Sequence, residues 1–407
     1  MVMLEAGFAK VDFTPFGQFP LAGYTHLRER LATRVRDPLE VRALAVRDGG
    51  KTVVLLAFDL LLVTPELAQA LSQRLKDTGA ALIVHATHTH SSLGGLSGSL
   101  LARLFMGRPR DWVIPHLVQA GERAARTALE DLAEAEPRAA CAILPGLNGN
   151  RRDPSGPKDE ELSILRLCRE KGDGILVSYP GHPVIVAERD HHAASADFPG
   201  EVCRLLERDF RFAMFIQGAL GGVDVLYPND PGMSADRNLS MMAVPIAISA
   251  INLARQAPAC LRKDLAHARL DLSLSGPDCR LAFDEHGFLD LPLRPFMNAL
   301  VRGLDRSVPM QAIRIGDFAL VGTPADLGVG LALAIKETAR AAGVKVPVAA
   351  SETDGYIGYV HPREAYRKVP PRSYWAMALY ENAMNFFGRD TAKAVLDAAK
   401  GLVQAVK

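Results

Sequence analysis

TVVLLAFDLLLV (52–63) is the most apolar run of the chain, and it faces LEVRALAVRD (39–48) across a Gly49-Gly50 pair. Two strand-like segments flanking a two-glycine turn predict a β-hairpin. Asp59 interrupts the run, which is in any case far shorter than the roughly 20 residues a membrane helix needs, so it is expected as a buried strand. The arrangement recurs where LSILRLCRE (162–170) and GILVSYPGH (174–182) flank KGDG, and where MQAIRI (310–315) and FALVGTPAD (318–326) flank Gly316-Asp317. Helical periodicity lies between, in PELAQALSQRLKD (65–77), HLVQAGERAARTALEDLAEA (116–135), PGEVCRLLERDF (199–210), SMMAVPIAISAINLARQ (240–256) and LGVGLALAIKETARAAG (327–343). Hairpins interleaved with helices predict an α/β fold of mixed sheets flanked by helices. No linker-like tract or fixed-period repeat divides the chain, so one domain over 1–407 is expected. SSLGGLSGS (91–99), NGNRRDPSGPKDEE (148–161) and YPNDPGMSADRN (227–238) are expected as the mobile loops.

Composition narrows the function. Lysine plus arginine number 47 against 46 aspartate plus glutamate, so no strong field attracts nucleic acid or an anionic membrane, and a small-molecule partner is expected. The start, MVMLEAGFAKVDFTP, has the alternation of a strand and not the pattern of a secretory signal. Five cysteines (141, 168, 203, 260, 279) lie scattered without a CxxC pair, which argues against a disulfide framework or a thiolate zinc site and suits a reducing cytoplasm. Oligomeric state has no sequence signature here.

Chemistry concentrates at strand ends. ALIVHAT runs into His88-Thr89-His90, GILVSYPG ends at His182, FALVGTPA at Asp326 and TVVLLAF at Asp59. In an α/β sheet such carboxyl ends gather at one rim, where ligands bind. His88 and His90, two apart, project to one face if the backbone is extended, with His85 on the other. Neutral imidazoles and a carboxylate are ordinary zinc ligands, so His88, His182 and Asp326 form a candidate set, and zinc lowers the pKa of a bound water to roughly 7. Asp326, preceding a helical segment, is equally a candidate N-cap.

At THTHSSLGG (87–95) the chain resembles the neutral (neutral/alkaline non-lysosomal) ceramidase family. The likeness continues in order through GFAKVDFTP (7–15), LAGY (21–24), LLAFDLLLV (55–63), NGNRRDP (148–154), GHP (181–183), SADFPGE (195–201), FIQGALGGVD (215–224), VGTPADL (321–327), DGYIGYVHPREAY (354–366) and LYENAMNFFG (379–388). It implies one Zn²⁺ per chain, held by His88, His182, Asp326 and Tyr359, with Tyr356 as the other candidate for the phenolic ligand. Asp326 stands where the family carries the longer glutamate. The resemblance further implies His90 as a proton-exchanging neighbour, Arg151 (or Arg152) against the substrate's polar head, and Tyr380 polarising the scissile carbonyl. Asp224 falls where the family has a serine that holds the head group, within an ALGGVD segment that departs from the family pattern. RKVPPRSYWA (367–376) reads as an insertion, and a catalytic domain without the family's C-terminal immunoglobulin-like domain is expected. The expected activity is hydrolysis of an amide in an N-acyl compound smaller or more polar than ceramide. An ester or lactone hydrolase and a ligand-binding homologue without turnover are the alternatives.

Overall fold

In the strand Lys51–Phe58, Val54, Leu56 and Phe58 face one buried layer, while Val53, Leu55 and Ala57 face another. A strand apolar on both faces belongs between layers, and it sits so in the computed structural model, which describes residues 4–24, 29–226, 232–284, 294–367 and 369–407. Glu40–Asp48 and Lys51–Phe58 form the expected antiparallel hairpin, the helix Pro65–Arg74 follows, and Ala81–Ala86 returns parallel to Lys51–Phe58. Glu5–Asp12 and Ala133–Glu134 complete this five-stranded sheet.

The second and third hairpins repeat the plan. Glu161–Cys168 and Gly174–Tyr179 pair antiparallel, the helix Asp197–Leu206 intervenes, and Phe212–Gln217 joins in parallel. Ser307–Ile315 and Phe318–Gly322 pair antiparallel, the helix Val329–Ala341 follows, and Val346–Ala350 joins in parallel. Each of these two sheets gains one further antiparallel strand, Glu136–Ile143 and Leu265–Ser273 respectively.

All three sheets turn one face onto a common core, to which they contribute Leu44, Leu55 and Ile83, then Leu165, Leu176 and Met214, then Ile313, Leu320 and Val348. Helices cover the opposite faces, with Leu67 and Leu117 on the first sheet, Val202 and Met242 on the second, and Ile335 and Val395 on the third. The helix Ala235–Gln256 is long and apolar enough to cross a membrane by length and composition, but Leu239, Met242, Ala243, Ile246, Ala250 and Ala254 make it a core stripe against the second sheet. Backbone hydrogen bonds stitch the strand ends of the three sheets together: Ala86 to Glu352, Asp354 to Val84, Ser351 to Gln217 and His90 to Pro183.

One loop expectation is corrected. Ser91 to Leu96 is buried, because Ala22 donates to the Ser92 carbonyl and Gly94 to that of Pro20, so the glycines serve close packing rather than mobility. Of 227–238, residues 227–231 lie outside the described residues, and Ala235 onward is helix. Cys203, Cys260 and Cys279 are buried, and all five cysteines are free thiols.

Candidate metal centre

The strand Ala81–Ala86 ends before the histidines. His88 is not extended, as its spacing from His90 suggests, but sits in the left-handed region at φ 66°, a conformation that costs a non-glycine residue roughly 1–2 kcal/mol. Its backbone N–H donates to the Leu60 carbonyl at 2.9 Å, and its Nδ1 lies 2.7 Å from the Leu61 carbonyl. That contact with a carbonyl places the proton on Nδ1 and leaves the Nε2 lone pair free. Arg30 donates to the carbonyls of both Ala22 and His90, and a Cβ at Gly23 would fall 2.6 Å from the His90 Cα, so the glycine lets the two segments touch. His182 arrives from the second sheet, carried past the end of Gly174–Tyr179 by Pro180-Gly181.

The three rings converge. Nε2 of His90 lies 3.3 Å from Nε2 of His88 and 3.0 Å from Nε2 of His182. Burial, the main cause for each, pushes all three pKa values below the usual imidazole range, so they are neutral with lone pairs available.

From the third sheet comes Asp326, paired in register with Tyr359 in a two-residue parallel ladder. Its Oδ1 lies 3.4 Å from Nε2 of His88 and is buried without a donor, whereas Oδ2 accepts from the Tyr356 hydroxyl at 2.7 Å. Asp326 caps no helix, since Gly328 holds the N-cap position of Val329–Ala341. Tyr359 accepts from Arg151 Nη2 at 2.9 Å, and Arg151 Nε binds Glu381 at 2.7 Å. Arg151 is therefore held half-buried in the centre's wall rather than solvated. Arg152 points away, donating to Ala365, Ala378, Glu381 and Asn382. Gly358, at φ 85°, permits the turn into Tyr359, where a Cβ would meet the Met384 carbonyl at 2.1 Å.

Tyr380, 37% exposed, edges onto the Tyr359 ring at 5.9 Å and lines a cavity together with His88, His90, Asp326, Tyr356 and Tyr359. Burial, then the charge of Asp326, pushes its pKa up, so it is a neutral phenol able to donate. Asp224 does not line this cavity; its Oδ1 accepts from the Val225 N–H, and it lies near enough to Arg151 to feel its charge. Asp59 and His85 are structural. Asp59 accepts from the Glu40 N–H and the Thr87 hydroxyl, while His85 spans the Ser351 carbonyl and the Gln217 N–H.

Two carboxylates escape the sequence reading. Glu352 is fully buried against His88 and Asp326; the strand-end rule applied to VPVAASE would have found it. Glu381 lies in the YEN helix and binds Arg151, Arg152 and His361, and no local signal marks its burial. Three lone-pair-bearing imidazoles beside carboxylate oxygens that have no donor are the donor set of a divalent cation, so the residues present fit a metal.

No protein-family model matches the sequence, and no curated protein matches it. Among solved structures, neutral ceramidase from Pseudomonas aeruginosa aligns with a TM-score of 0.80 over 99% of this chain and 75% of that one, at 20% identity. A ceramidase complexed with C2 aligns with a TM-score of 0.81 over the same shares, also at 20% identity. At this identity the likeness is one of architecture: the chain has the neutral ceramidase fold.

Proposed function

We propose that this chain is a zinc-dependent hydrolase, with one Zn²⁺ per chain, that cleaves the amide bond of a short-chain N-acyl compound. The carrying observation is that His88 belongs at once to a cluster of three neutral imidazoles and to a pair with the unpartnered Asp326 carboxylate oxygen, beside an apolar cavity. His88, His182, Asp326 and Tyr359 would hold the ion, which supplies Lewis-acid polarisation of a carbonyl and a water of lowered pKa.

The chain's own residues do the rest. Leu61, Leu62, Leu101, Phe105, Met106 and Phe386 wall a cavity of about 150 Å³. An apolar cavity of such size takes a benzene-sized group, so an acyl chain of roughly six carbons suits it better than a long one. Tyr380 donates its hydroxyl to the carbonyl oxygen as charge develops there, an interaction worth roughly 10²–10³ in rate. His90 accepts a proton and passes it to the leaving amine. Arg151 fixes the Tyr359 hydroxyl, and Tyr356 fixes Asp326. For Asp224, outside the cavity lining, a head-group role would act through the charge of Arg151. The name ceramidase of both structural neighbours favours an amide over an ester. The five free thiols suit a reducing compartment, and we place the protein in the cytoplasm.

The test is a panel of N-acyl amides from acetyl to palmitoyl, with the matching esters and lactones, each with and without chelator. Chelator-sensitive amide turnover that peaks near six carbons supports the proposal. A palmitoyl optimum overturns the short-chain assignment, exclusive ester or lactone turnover overturns the amide, and binding without turnover on any arm overturns the enzyme.

A further inference from the structure

We infer that Glu352 is a carboxylate ligand of the ion held by His88 and Asp326. The inference rests on the metal-centre reading and adds a residue to it. Glu352 follows the strand Val346–Ala350 and holds φ 52°, with Asp354 at φ 60° two residues on, so two non-glycine residues share a left-handed turn. Backbone bonds on both sides impose that turn: Glu352 N–H donates to the Ala325 carbonyl at 3.3 Å, and its carbonyl accepts from Ala86 N–H at 3.0 Å. Strain of this kind persists where surrounding structure over-determines it, and here it sends the side chain inward.

The carboxyl group it delivers is fully buried, and among the described residues no donor reaches either oxygen apart from a hydrogen bond shared with the Asp326 carboxyl. Oε1 lies 3.8 Å from His88 Nδ1, but that N–H is committed to the Leu61 carbonyl. One ligand atom each from His88, Asp326 and Glu352 lie within 4.8 Å of one another. The neighbouring guanidinium of Arg151 is engaged by Glu381 and Tyr359. Two buried carboxyl groups side by side, with no side-chain cation paired to them among the described residues, repel each other once both are ionised unless a proton or a cation lies between, and an arriving metal ion would take the place of that proton. A divalent cation balances Asp326 plus Glu352, since the three imidazoles are neutral ligands.

The test is calorimetric titration of Zn²⁺ into metal-stripped wild type, Glu352→Gln and Glu352→Leu, with circular dichroism to check the fold. Wild type should take up one ion per chain, and both variants should bind it at least about 10-fold more weakly. The metal-free Glu352→Gln variant should melt within a few degrees of metal-free wild type, because its amide can still donate to Asp326. Equal affinity overturns the inference while leaving the metal centre standing, and so does a lowered melting temperature with unchanged affinity. Wild type that binds no ion removes both. If neither variant folds, a crystal structure of the zinc-loaded wild type decides: a Glu352 oxygen at about 2.0–2.2 Å from the ion supports the assignment, and one beyond hydrogen-bonding range overturns it.

Discussion

His90 and His182 bring their Nε2 atoms within 3.0 Å of each other, yet their proposed work differs, proton transfer for His90 and metal ligation for His182. His90→Ala should therefore keep its zinc and lose at least about 100-fold in turnover, the lower end of what a positioned proton carrier supplies, as read by metal analysis beside initial rates. Loss of zinc from that variant would make His90 a ligand instead. Arg152→Ala should be chiefly a stability variant, lowering unfolding free energy by roughly 3–5 kcal/mol in denaturant titration, because it strips a buried cation from Glu381, Asn382 and two carbonyls. His88, His182 and Asp326 were legible because each lies within four residues of the end of an apolar strand. Arg151 in its polar loop and Glu381 in its helix look solvated in sequence, and only their meeting across 230 positions explains their burial.

At the level of elements, Asp59 ties the end of Lys51–Phe58 to Glu40 and to Thr87, the residue before His88. Burial, offset in part by Arg42, pushes its pKa up to about 7. A folded pKa above the unfolded value of about 3.9 means that its contribution is complete below about pH 4 and is lost as pH rises through 7. Relative to wild type, Asp59→Asn should therefore gain stability as pH rises from about 4 to 7, by up to about 1.4 kcal/mol per pH unit, and gain no more above pH 7, measured by thermal melts of the metal-free proteins. A variant whose stability relative to wild type stays constant or falls across that window would contradict the assignment. The three hairpins could be read directly, since alternation of apolar rows and glycine turns are local signals. The left-handed turns at His88 and Glu352 could not, because long-range backbone bonds to Leu60 and Ala325 impose them against local preference. The helix Thr391–Val406 also eluded the reading, although Val395, Leu402 and Val406 pack on the third sheet.

Across the molecule, the three hairpin–helix–strand units each send side chains from strand ends to one place: His88 and His90 from the first, His182 from the second, Asp326 and Glu352 from the third. A site assembled from segments so distant in sequence links metal affinity to the fold as a whole, and the ion should stabilise the folded chain by about 4 kcal/mol at a thousandfold excess over its Kd. The most direct test is the metal content of the purified chain after zinc loading and desalting, measured by mass spectrometry for wild type and for His182→Ala. One zinc per wild-type chain and none in the variant is the predicted result. A wild-type chain without stoichiometric metal, or a variant that keeps it, would contradict the account.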